Sequence, residues 1–225
     1  MTTRSRFHQG LDELKSKLLA MGGQAEQAVE TAVRAYNERV PELCQRVFTN
    51  EAKINMAERE IDELALDLLA MQQPMAVDLR FILAIIKSNA DLERVGDQAV
   101  NIAQRVMDLI ALPQVDLPAD IPQMAAIAAQ MVRQALEAFV SGDAEAAQRI
   151  LEMDDITDRM NQEIFLAMDK AMNDSPDVIR QALDTIIIAR NLERIADHAT
   201  NIAEDVIFWI RGADVRHGFS TTTAK

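Results

Sequence analysis

Residues 91–103 read DLERVGDQAVNIA and residues 191–203 read NLERIADHATNIA, identical at 8 of 13 positions across an offset of 100. Chance would give about one match, so the chain carries the same segment twice. Wound as a helix, Leu92, Val95, Ala99, Ile102, Ala103 and Val106 make one apolar stripe. Glu93, Asp97 and Asn101, spaced i, i+4, i+8, line up far from that stripe. Leu192, Ile195, Ala199, Ile202, Ala203 and Val206 repeat the stripe, and Glu193, Asp197 and Asn201 repeat the polar edge. Each copy is therefore expected to present two carboxylates on one helix face, pointing away from its core.

The duplication reaches beyond this motif. Residues 28–51 align without gaps on 131–154 at an offset of 103, pairing Val29 with Val132, Tyr36 with Phe139, Gln45-Arg46 with Gln148-Arg149 and Glu51 with Asp154. The change of offset means that the second copy is shorter, mostly around the corners at Pro74 and Pro176. With only 7 Gly and 6 Pro, and a preponderance of good helix formers, the chain reads as all-helical.

The punctuation gives the helices. The first spans about Ser5 to Asn37 and contains Gly22-Gly23, which suggests a kink, a break or a close approach to another helix. Pro41 opens a second helix running to about Met71, and Gln72-Gln73-Pro74 turns the chain into a third from about Met75 to Ile110. Residues 113–122, PQVDLPADIP, hold three prolines and divide the halves. A fourth helix from Ala119 or Gln123 to Val140 ends at Ser141-Gly142, Asp143 caps a fifth running to about Met172, and Ser175-Pro176 starts a sixth that ends near Ile210. The expected architecture is two tandem antiparallel three-helix bundles, residues 1–112 and 119–211, related by a pseudo-two-fold axis. Residues 212–225 lack periodicity and are expected to form a flexible tail.

Composition narrows the function. A formal net charge of −13 opposes nucleic acid and anionic lipid and favours cations and basic partner surfaces. The single Cys44 suits a reducing compartment, and neither a secretory signal nor a membrane-spanning run is recognisable, so a cytoplasmic protein is expected.

Each polar edge has a counterpart on the preceding helix. Glu51, Asn55, Glu58 and Asp62 fall within about 60° on a helical wheel, and the equivalent positions hold Asp154, Asp158, Asn161 and Phe165. A solvated face explains any one such pair, since like charges at i, i+4 cost only a few tenths of a kcal/mol. Four pairs in register in a duplicated chain are harder to explain that way and open a second reading, hard cations held by oxygen ligands from two helices. Carboxylate and amide oxygens favour Mg, Mn, Ca or Fe. The glutamate and histidine spacing of di-iron bundles is absent, and His198 points about 100° from Asp197, as an outer ligand or, more in keeping with its neighbours, a surface residue. No Gly-rich loop meets a helix N-terminus, and acidic faces repel anions, so direct phosphate binding is not expected.

These motifs, with QPMAVDLRFILAIIKSNADLERVGD from Gln73 to Asp97 and the duplicated layout, resemble the PhoU family of phosphate-uptake regulators over nearly the whole chain. The resemblance implies acidic i, i+4 motifs binding multinuclear metal clusters: Glu51 with Asn55 and Glu93 with Asp97 in one half, Asp154 with Asp158 and Glu193 with Asp197 in the other. Asn55 departs from the family's carboxylate, so that half-site is expected to be weaker unless Glu58 or Asp62 compensates. The resemblance further implies negative regulation of phosphate uptake and of the starvation response, through contact with the phosphate ABC transporter ATPase and a sensor histidine kinase, by a homodimer without enzymatic activity. A metal-independent adaptor docking basic surfaces is the main alternative. A metal-dependent hydrolase and a phosphotransfer bundle using His198 are the remaining ones.

Overall fold

The structure, a computed structural model, describes residues 3–72 and 74–212. The expected flexible tail beyond Gly212 and the middle of the Gln72–Pro74 corner lie outside the described residues. Six helices follow in order: α1 (Thr3–Glu38), α2 (Pro41–Gln72), α3 (Ala76–Ile110), α4 (Ile121–Ser141), α5 (Ala144–Asp174) and α6 (Ile179–Arg211). Among the described residues there is no strand, and no helix is long and apolar enough to cross a membrane.

Local chemistry sets the ends. The Asp120 carboxylate accepts from Gln123 N–H at 3.0 Å to start α4, and Asp143 accepts from the N–H groups of Glu145 and Ala146 at 2.9 Å to start α5. Gly142 ends α4 in the left-handed conformation, φ 64°. Its equivalent in the first half is Arg39, also left-handed at φ 57°. The two copies thus turn the same corner with the same backbone, even where no glycine is available. Ser175 does not play its expected part: it precedes a 3-10 turn, Pro176–Val178, with no side-chain capping bond, and α6 begins only after that turn. Gly22 does not break α1, which runs on to Glu38. It admits Leu136 of α4, whose Cδ1 would stand 2.3 Å from a Cβ at that position.

Exchange of the halves maps the packing onto itself. The α1–α2, α1–α3 and α2–α3 contacts match α4–α5, α4–α6 and α5–α6, while α3 packs on α6 and α1 on α4 across the divide. Along α3 and α6, Arg80 reaches the carbonyl of Trp209, Lys87 pairs with Asp205 at 3.3 Å, and Arg105 with Asp184 at 3.5 Å. Numbers climb on one helix as they fall on the other, so the pair is antiparallel, as a two-fold axis perpendicular to both requires. Leu92, Val95, Ala99 and their copies Leu192, Ile195, Ala199 are fully buried, and the core is continuous through both halves. The bundles share one hydrophobic interior, leaving the outer seams, α2 with α3 and α5 with α6, to carry the acids.

Candidate metal site

In the second half, α5 and α6 bring three acids together. Carboxylate oxygens of Asp154, Asp158 and Asp197 all lie within 4.8 Å of one another. Glu193 stands one turn before Asp197, and both are half-buried rather than turned out to solvent as the wheel suggests. The wheel gives an angle on one isolated helix, whereas the neighbouring helix determines what covers that angle. Asp154 Oδ1 is buried and finds no hydrogen-bond partner. Burial, reinforced by Asp197, Asp158 and Asp155, pushes the Asp154 carboxyl up to about 6. Burial followed by Glu193 and Asp158 raises Asp197, and burial followed by Asp158 raises Glu193. Arg190 and Arg194 partly offset this at Glu193, and His198 and Arg194 at Asp197, but Asp154 has lost its water and gained only like-charged neighbours, which is unfavourable alone. A hard cation at the trio would supply both the missing partner of Asp154 and the missing charge, so these residues fit a metal.

The first half assembles the same positions with one substitution. Glu51, Asn55, Glu93 and Asp97 are all half-buried along the α2–α3 seam. Burial, then Asp97 and Glu58, raises the Glu93 carboxyl, with Glu51 adding to it. Among the described residues no second trio of acidic, His or Cys side chains closes as tightly as Asp154, Asp158 and Asp197. The chemical reason is Asn55, which stands where Asp158 stands and whose Oδ1 is likewise buried without a partner. Of the two acids able to compensate, Asp62 is engaged, accepting from Asn89 Nδ2 at 3.0 Å, which leaves Glu58.

His198 is not the surface residue its spacing suggests. Its side chain is only 13% exposed, and Nδ1 lies 2.9 Å from Asp91 Oδ1 in the α3–α6 seam. Asn201, expected on the outward edge, also turns there and donates to Asp91 at 3.1 Å. Asp91 is 8% exposed, and in the sequence it is one of five motif positions where the copies differ, Asn191 being its equivalent. Arg190 and Arg194 were also missed: with Phe165, Asp158, Glu193 and Asp197 they line an open cleft of 670 Å³ beside the trio.

A family model described as the PhoU domain matches this chain twice, over residues 18–106 and 121–206. A phosphate-specific transport system accessory protein PhoU homolog of Pseudomonas putida is 41% identical over 224 residues, covering 98% of this chain and 87% of that protein. The phosphate-specific transport system accessory protein PhoU of Escherichia coli K12 is 30% identical over 212 residues, covering 94% and 88%. The crystal structure of PhoU from Pseudomonas aeruginosa superposes with a TM-score of 0.88 at 38% identity, over 92% of this chain and 100% of that one. That of the phosphate transport system regulatory protein PhoU from Streptococcus pneumoniae gives a TM-score of 0.86 at 28% identity, over 93% and 99%.

Proposed function

The chain belongs to the PhoU family, and on that premise we propose that it is an accessory protein of a phosphate-specific transport system, a negative regulator that ties the transporter ATPase to a sensor histidine kinase when phosphate is ample. In this reading Asp154, Asp158, Glu193 and Asp197 hold hard metal ions, Mg, Mn or Fe, in the second half, and Glu51, Asn55, Glu58, Glu93 and Asp97 hold them less tightly in the first. The bound metal supplies positive charge at an otherwise strongly acidic face, and the protein's part is binding rather than catalysis. The observation that carries the metal assignment is the partnerless, buried Asp154 oxygen within a trio whose oxygens lie within 4.8 Å.

The test is a pull-down from phosphate-replete cells with the tagged protein, scored for the transporter ATPase and the kinase, with and without chelator. Capture of both, weakened by chelation, supports the reading. Capture that chelation leaves unchanged favours the adaptor that docks basic surfaces without metal, and capture of neither overturns the regulatory assignment.

A further inference from the structure

The acidic cleft of the second half also carries two cations. Arg190 and Arg194 stand one turn apart on α6 and line the 670 Å³ cleft together with Asp158, Glu193 and Asp197. Both are exposed, and neither closes an ion pair or donates a hydrogen bond among the described residues. Both hold Glu193 down through space, and Arg194 does the same to Asp197, yet their guanidinium N–H groups keep donors to spare. They form a row about 60° round the helix from the Glu193 and Asp197 row, directed into the same opening.

The duplication provides an internal control. Position 190 is Ala90 in the first half, and position 158 is Asn55 there, while Arg94 matches Arg194. The half with three close carboxylates is therefore the half with two arginines lining its cleft. Without metal such a cleft repels anions. A hard cation on the trio alters that balance, because three carboxylates fill only part of a six-coordinate shell and the remaining positions suit oxygen ligands. The planar guanidinium fork matches two oxygens of a tetrahedral oxyanion, and two forks one turn apart can grip it from one side.

We propose that this cleft takes up inorganic phosphate together with metal, the carboxylates of Asp154, Asp158 and Asp197 holding the cation and Arg190 and Arg194 holding the anion's outer oxygens. Phosphate is then read directly by this chain, and only in its metal-loaded state. The inference rests on the metal assignment proposed above, and the experiment separates the two. The full chain is dialysed against Mn(II) and radiolabelled phosphate, with metal counted by mass spectrometry and phosphate by scintillation. The expected result is retained Mn, phosphate retained only with Mn, and at least a tenfold loss of phosphate affinity in the exposed-site double variant Arg190→Gln/Arg194→Gln at unchanged Mn content. Retention of Mn with no phosphate, or with phosphate that the double variant or chelation leaves unchanged, overturns this inference alone. Absence of Mn from the wild-type chain overturns the metal assignment and this inference with it.

Discussion

Gly96 lies so close beneath Ile54 that a Cβ on it would stand 2.9 Å from Ile54 Cδ1. The equivalent residues of the second half are Ala196 and Thr157, both fully buried. One half thus pairs a large α2 residue with no side chain on α3, and the other a smaller α5 residue with a methyl on α6. Both solutions let the acid-bearing helices of each seam approach closely.

This exchange predicts a coupling. Gly96→Ala gains helix propensity of up to about 1 kcal/mol but crowds Ile54, at a cost of about 1–3 kcal/mol. Ile54→Val alone loses about 1 kcal/mol by removing the buried Cδ1. Made together, the two changes should be more stable than the sum of their separate effects by about 1 kcal/mol, measured by urea denaturation in a double-mutant cycle. Simple additivity would show that the close approach is not what fixes Gly96.

The metal assignment predicts that the halves are unequal for a nameable reason. Asp154→Asn keeps the shape and removes the charge of the partnerless oxygen, and should lower bound Mn in the second half at least tenfold while leaving helical content unchanged. Asn55→Asp supplies the first half with the carboxylate that Asp158 provides in the second. It should raise Mn retention after dialysis, read by mass spectrometry. Retention that neither change alters places the metal elsewhere.

Much of this was legible before any coordinates. Repeated strings fixed the duplication, and Pro41, Asp143 and Gly142 marked corners whose chemistry is local. The Ser175-Pro176 corner misled because serine before proline has the composition of a cap, whereas here the chain first makes a 3-10 turn. The candidate acids were visible as i, i+4 pairs, but their burial was not, since it depends on the lateral distance between helices, which Gly96 and Ile54 set. Least legible was the α3–α6 seam. Asp91, His198 and Asn201 meet there across the two-fold axis, and no pattern within a single helix announces a partner on the other half of the chain.

The raised acids make stability depend on pH in a definite direction. Asp154 has an unfolded value of 3.8 and a folded value of about 6, so between them the folded state holds a proton that the unfolded state has released. Its contribution is therefore favourable at low pH and is lost as pH climbs through about 6, with Asp197, Glu193 and Glu93 shifted the same way. After discounting for partial exposure, Asp154 alone should cost on the order of 1–2 kcal/mol between pH 5 and 7.5. Chelated protein should show that loss in denaturant titrations, and saturating Mn should abolish it by making the ionised acids the favoured form. Stability that rises with pH in the chelated protein would contradict the assignment.

The Asp91–His198 pair decides between a structural and a signalling role for the histidine. Asp91 is buried and its Oδ1 is served by His198 at 2.9 Å and Asn201 at 3.1 Å. Truncation by His198→Ala leaves the mostly buried carboxylate with one of its two side-chain partners, which should cost about 1–3 kcal/mol. Asp91→Asn, the residue that the second half already carries as Asn191, should remove most of that loss when added to His198→Ala, because a neutral amide tolerates the missing donor better than an anion does. A phosphate-accepting histidine predicts the opposite pattern: little change in denaturation midpoint, complete loss of phosphate regulation in cells, and no rescue of that regulation by Asp91→Asn. Measuring both readouts on the same three variants separates the cases, and the geometry of the seam favours stability lost and then recovered.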